Sequence, residues 1–360
     1  MISTEQPAPK QVHITKKALQ QLTVKSRETN LQYLRDLDDE KPMSERLLSY
    51  FLQLEIISST SNTLNSWSEH INKLITNYSQ FHSHYCKDLK ISEITPLLEP
   101  IIPRDLPRSL GIFDEFQEIL LVPKTFFTEY ELRFYRIFLI LSKESPTFRY
   151  AQGMDRFLYL STIISIQFCQ ELNLDVDVCE SLTYFLFKGL INKVYIGNIA
   201  LDQELSKDLF LRMAVVMVKC TPIKAGTLAR LQIKPEMFAL NYVLLLFMDQ
   251  HPLKQLLIIW DQILLNVERC EAFIISLVVA HINQIEIKSA SQADEMQRIM
   301  KEKDFFLQRL VYEANLFVET ADKLKDGKDL SEDEPLNIWK FVVPIVVIVV
   351  VGVVLFKFTK

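Results

Sequence analysis

The sequence predicts an all-α body followed by a single membrane-grade apolar segment, and three observations carry that prediction. Apolar residues recur at intervals of three and four along most of the chain, the spacing of one helix face. No apolar/polar alternation persists between hairpin turns, and 7 glycines in 360 residues leave strands and tight hairpins little place to form. Residues 341–356, FVVPIVVIVVVGVVLF, carry no charge at all. The apolar fraction of 49% suffices for a sizeable core, and 40 basic against 45 acidic side chains exclude the strongly basic balance of a nucleic-acid binder.

Taken in order, residues 1 to about 12 are polar and proline-bearing and read as an unstructured extension. Helical spacing runs from Ile14 to Leu37, then over 45–59, where Leu47, Leu48, Phe51, Leu54 and Ile57 share one side, and over 64–85. Pro96, Pro100, Pro103 and Pro107 crowd the next stretch, so Ile91 to Phe116 reads as loop and short turns. Further helices are expected over 128–144, 151–170, 176–191, 202–219, 235–250, 252–265 and 268–285, with an amphipathic helix over 292–320. The charged stretch 321–335, ADKLKDGKDLSEDEP, reads as a linker, with a root-mean-square reach of about 20 Å.

The tail has the length of a membrane anchor. Sixteen uncharged residues between Lys340 and Lys357 would rise about 24 Å as a helix, against a hydrocarbon core of about 27 Å in an endoplasmic reticulum membrane. Trp339 at the headgroup level, Phe358 and the snorkelling Lys340 and Lys357 close that gap. A buried strand of this length would be about three times the ordinary one. The expectation is a tail-anchored protein whose body faces the cytosol, on the endoplasmic reticulum or Golgi, with the mitochondrial outer membrane as the alternative.

Several chemistries lack their usual residues. The 5 cysteines form no CxxC pair and lie in apolar helical runs, which reads as buried reduced thiols. His82 and His84 are two apart and so do not share a helix face, which leaves no metal site expected. There is no GxSxG, HExxH or GxxxxGK[ST] string, so hydrolase, metalloprotease and nucleotide-binding readings have no support.

Two strings stand out. IIPRDLPRSLGIF places Ile102, Asp105 and Arg108 at the spacing IxxDxxR, and about forty residues later SPTFRYAQGMDRF carries Tyr150, Gln152 and Gly153 as YxQG. A third string, 234–264, ends in Ile259, Trp260 and Asp261. In their order and spacing these resemble the signature motifs of the TBC-domain proteins, GTPase-activating proteins for Rab GTPases, over about residues 85–285. The resemblance implies an all-α TBC domain over 45–290, which leaves an N-terminal extension over 1–44 before it and, as read from spacing, charge and hydropathy, an amphipathic helix over 291–320, a linker over 321–338 and an anchor over 339–358 after it. The arginine-and-tryptophan opening that many members carry is not evident. Ser109, Arg149 and Asp155 depart from the commoner threonine, glycine and asparagine or small polar residue, and Asp155 with Arg156 would alter the local electrostatics.

What the resemblance implies is an arginine finger at Arg108 and a glutamine finger at Gln152, both acting in trans on a GTP-bound Rab. Asp105 would hold the finger loop, Tyr150 would position the glutamine, and Gly153 would support the turn; Arg104 is a second, off-motif arginine. Trp260 and Asp261 are expected to pack and to make a helix-end hydrogen bond. The protein would be an activator rather than a stand-alone enzyme, with no cofactor of its own, because the partner carries GTP and Mg2+. Its partners would be the Rab and the bilayer, with the early secretory membranes its place of action. The rival reading is a non-catalytic, membrane-anchored helical scaffold that binds a Rab or another membrane partner.

Overall fold

The computed structural model describes residues 14–325 apart from single residues and short segments, the longest being 59–63, 110–123 and 290–295. Trp339, Lys340, Lys357 and the expected anchor lie outside the described residues. Every regular element described is helical, and among the described residues no helix is long and apolar enough to cross a membrane. The chain divides into two compact units: one holds the residues up to Tyr195 with Trp260–Val267, the other Ile196–Ile259 and the residues from Glu268 on.

In the first unit the single helix expected over Ile14 to Leu37 is two, α1 (Lys16–Gln20) and α2 (Arg27–Arg35). The chain restarts at Ser26, whose hydroxyl accepts from Thr29 N while Thr29 Oγ1 accepts from Ser26 N, a local capping arrangement that fixes a new helix start. Then come α3 (Met43–Gln53) and α4 (Leu64–Tyr85). α3 has a proline N-cap with no side-chain acceptor of its own. Its orphan amides are met from elsewhere, because Glu171 accepts from Met43 N at 3.2 Å and Ser44 N at 3.1 Å.

The proline-rich stretch contains more helix than its composition suggests. It forms α5 (Ile91–Ile94), a 3-10 turn (Thr95–Leu97) and α6 (Ile102–Ser109). Pro103 falls in the first turn of α6, where its missing N–H would have had no helical partner, and Pro107 forfeits one bond in an eight-residue helix. α6 closes because Asp105 N still bonds to Ile101 O at 3.0 Å and Ile102, Asp105 and Leu106 are buried on one side.

Three long helices complete this unit: α7 (Lys124–Glu144), α8 (Met154–Glu171) and α9 (Val176–Lys193). α8 packs against α9, α3 and α6, and α9 against α4. A buried carboxylate ties α4, α7 and α9 together: Glu180 accepts from Arg136 at 2.9 Å and 2.5 Å and from Tyr78 Oη at 2.8 Å.

The second unit is built from α10 (Gln203–Cys220), α11 (Pro222–Arg230), α12 (Pro235–Leu245), the start of α13 (Leu253–Leu265), α14 (Cys270–Gln284), α15 (Met296–Glu302) and α16 (Leu307–Lys325). Two expected helices are interrupted, and one aromatic box accounts for both. α12 stops at Leu245 rather than near 250, with Leu246 (φ 41°) and Phe247 (φ 68°) in the left-handed region. That turn puts the Phe247 ring flat on His281, centroids 4.9 Å apart. The helix expected over 292–320 breaks before α16, where Phe305 packs edge-on against His281 at 4.7 Å. Packing gained by two buried aromatic rings offsets the lost helical hydrogen bonds. α16 in turn runs on to Lys325, into the stretch read as linker. None of the five cysteines forms a disulfide; four are buried and Cys220 is half-buried.

Inside the box, His281 Nδ1 donates to Leu277 O at 2.6 Å, so its Nε2 accepts the hydrogen of His251 Nε2 at 2.7 Å. Burial pushes His251 down to about 4 and, with His251 beside it, holds His281 well below the usual imidazole range. The unfolded chain therefore binds more protons between pH 6.5 and 4, and stability present above that window is lost as pH falls through it. His251 alone accounts for a loss of about 3 kcal/mol. Urea midpoints measured from pH 7 to pH 4 should fall steeply in the wild type and less steeply in His251→Gln.

Candidate functional site

The two sequence strings meet in the first unit. Asp105 lies on the buried side of α6, 5% exposed, while Arg108, one turn later, has a side chain 73% exposed and its Nη1 3.8 Å from Asp105 Oδ1. Tyr150 precedes α8 and is buried, and its Oη lies 3.1 Å from Asp105 Oδ2. Forty-five positions of sequence are thereby closed by one side-chain hydrogen bond. A second bond reinforces it, as Tyr159 Oη on α8 donates to Leu106 O at 2.6 Å and satisfies a carbonyl near the end of α6.

The aromatic ridge of α7 supports both tyrosines. Phe138 meets the Tyr150 ring edge-on at 5.5 Å, and Phe134 meets Tyr159 edge-on at 4.8 Å. Glu99 Oε1 accepts from Tyr150 N at 3.3 Å. Burial first, then Asp155 and Asp105, raises the Tyr150 phenol, so it remains a hydrogen donor.

Gln152 is exposed in the turn between Tyr150 and α8. The turn closes through Gly153, whose φ of 98° belongs to the left-handed region that a side chain would resist. Ala151 beside it is buried, with its N–H directed at Met154 Sδ at 3.3 Å. Arg108 and Gln152 are thus exposed polar groups on a buried base. Arg104 shares the exposed side of α6 one turn before Arg108, without an ion-pair partner among the described residues. Arg149 is exposed and its Nη1 donates to Pro146 O and Phe148 O, so it caps its own turn. Ser109 ends α6.

Two aspartates singled out in the sequence sit in surroundings that the sequence did not reveal. Asp261 does not make a helix-end bond: it sits mid-helix in α13, wholly buried, and accepts from Arg46 Nε at 3.1 Å, Lys41 Nζ at 3.0 Å and Tyr50 Oη at 2.9 Å. Arg46 and Tyr50 lie one turn apart on α3 and reach the same carboxylate. The legible signal was an arginine inside the apolar run SERLLSYFLQL. Trp260 packs as expected, stacked on Phe157 at 5.7 Å. The other is Asp155, buried to 1% exposure with Oδ1 2.8 Å from Tyr150 Oη.

The family model for the Rab-GTPase-TBC domain, RabGAP-TBC, matches residues 102–288, just over half of the chain. The chain belongs to the RabGAP-TBC family. The match opens at the first residue of α6 and takes in both strings. Among solved structures this RabGAP-TBC chain is similar to the crystal structure of the Ypt/Rab-GAP domain of Gyp1p, with a TM-score of 0.53 and 13% identity. That likeness covers 86% of this chain and 94% of the other and concerns the all-helical fold. No curated protein matches the chain.

Proposed function

We propose that this RabGAP-TBC protein accelerates GTP hydrolysis by a Rab GTPase in trans, with Arg108 as arginine finger and Gln152 as glutamine finger. The observation that carries this reading is the Tyr150–Asp105 hydrogen bond, which brings the two strings together beneath two exposed side chains. Intrinsic hydrolysis is slow because charge builds on the transferred phosphoryl group and the attacking water is poorly held. An arginine supplied from outside offers planar, permanently charged donors to that developing charge. A glutamine amide accepts from the water and donates to a phosphate oxygen, aligning the attack. GTP and Mg2+ arrive with the Rab.

Asp105 limits the excursions of Arg108, Tyr150 braces Asp105, and Gly153 lets Gln152 turn outward. The apolar segment 341–356, flanked by Trp339, Lys340 and Lys357, holds the protein on an endomembrane, the endoplasmic reticulum or Golgi first. There a lipid-held Rab and its activator share one surface, so that a modest affinity suffices.

Single-turnover GTP hydrolysis by a panel of Rab GTPases, with the full chain in liposomes, tests both parts. Acceleration of one or a few Rabs is expected, with the protein co-floating with the liposomes. Stable binding of a GTP-loaded Rab with no acceleration of any would replace this reading by the scaffold.

A further inference from the structure

Apolar exposure in this protein is unevenly spread. Of the nine large apolar side chains exposed among the described residues, six lie on α10, the first turn of α11, and α16 with the residue before it: Leu205, Val218, Ile223, Phe306, Tyr312 and Leu316. These helices adjoin, since α10 packs on both α11 and α16 and the Thr320 hydroxyl meets the Cys220 thiol. Ile223 and Phe306, 88% and 70% exposed, stand at one end of α14. There Gln284 bonds the Phe306 backbone at 3.0 Å and 3.3 Å, and Lys224, next to Ile223, donates to Ile285 O. α16 itself has two unlike faces. Leu310, Ala314, Phe317 and Ala321 are buried on one. On the other, Arg309, Tyr312, Leu316 and Lys323 follow one another at helical spacing, all exposed, with Glu319 the one acid among them. Tyrosine and leucine flanked by basic side chains suit a membrane–water interface, where rings sit at headgroup level and cations meet phosphate.

Where α16 ends indicates what covers this face. The helix stops at Lys325, and only residues 326–340 separate it from the apolar segment 341–356. A chain of that length reaches about 20 Å, and α16 itself is about 28 Å long. A bilayer that holds the segment therefore passes close to the end of α16. We propose that α16, with Phe306 and the first turn of α11, lies on the lipid surface. Phe306, Tyr312, Leu316 and Ile223 enter the headgroup region, while Lys323 and Arg309, which also bonds Glu313 at 2.7 Å, face lipid phosphates. The buried face keeps α16 in the second unit, so the contact is shallow and holds that unit against the membrane. The inference rests on the segment 341–356 being held in a membrane.

The test uses the full chain in liposomes of phosphatidylcholine and phosphatidylserine, doped with a phosphatidylcholine that carries a photoactivatable diazirine near the glycerol end of its acyl chain. After flotation and illumination, peptide mass spectrometry should find lipid adducts on α16 and at Phe306 and Ile223, as well as in 341–356. Tyr312→Gln combined with Leu316→Gln should lose the adducts on α16 and still float with the liposomes. Its urea midpoint should not move, because both side chains lie mostly in solvent, 65% and 56% exposed. Adducts confined to 341–356, or an equal yield on α16 in the glutamine pair, overturn the proposal while the anchor stands; the face then belongs to a protein, a second copy or another partner. A chain that neither floats nor takes an adduct overturns the anchor, and the surface contact with it.

Discussion

Arg108→Ala should lose about 10³ to 10⁵ of the GTPase acceleration, equivalent to roughly 4–7 kcal/mol at the transition state. The side chain that is removed lies 73% in solvent, so folding has little stake in it, and the urea midpoint should stay where it is. Arg108→Lys is expected to fall nearly as far, because a compact ammonium keeps the charge but not the forked donors. Gln152→Ala should lower the same rate through the attacking water, again without a stability change, since Gln152 is exposed and the turn is set by Gly153. Single-turnover rates beside unfolding curves check all three. Loss of activity with intact folding separates chemistry from structure. Equal rates in wild type and Arg108→Ala would remove Arg108 from the mechanism.

Asp261→Ala should have the largest effect on folding, about 3–5 kcal/mol, because it strands two buried cations. Lys41 and Arg46 have side chains only 4% and 1% exposed, and Asp261 has none of its surface in water. Lys41 retains the Tyr33 carbonyl at 2.6 Å, but the Arg46 guanidinium loses both Nε and Nη2 bonds. Tyr50, whose phenol is raised by burial and then by Asp261, loses its acceptor as well. Urea unfolding followed by circular dichroism measures the loss. A triple variant, Lys41→Met, Arg46→Met and Asp261→Leu, should regain most of it, since apolar side chains of similar volume need no partner in the interior. A triple variant as unstable as Asp261→Ala would mean that shape, and not stranded charge, sets the cost.

These two predictions differ in how far they were visible in the chain. Arg108 and Gln152 belong to short strings, IxxDxxR and YxQG, whose order and spacing a single sequence displays. Asp261 was visible as part of a tryptophan-aspartate pair, but its partners were not: Arg46 lies 215 positions away, and no local rule links the two. Asp155 was legible only as an odd residue for its position. That its carboxylate and that of Asp105 both lie within hydrogen-bond reach of the Tyr150 phenol follows from three side chains meeting in space.

The sequence by itself determined the helices, because a period of three to four apolar residues is a local property that survives whatever packs against it. It determined in the same way the scarcity of strands and the position of the apolar segment 341–356. Tertiary structure decided where helices end against their own pattern, as at Leu246 and Phe247 and before Phe305, because burying rings against His281 outweighs a few helical hydrogen bonds. It also decided that a proline-rich stretch should be helix, since Ile102, Asp105 and Leu106 bury one side of α6 and Tyr150 and Tyr159 bond to Asp105 and to Leu106 O. Buried charges and buried hydrogen bonds have energies fixed by what surrounds them in three dimensions, and only the folded chain brings those surroundings together.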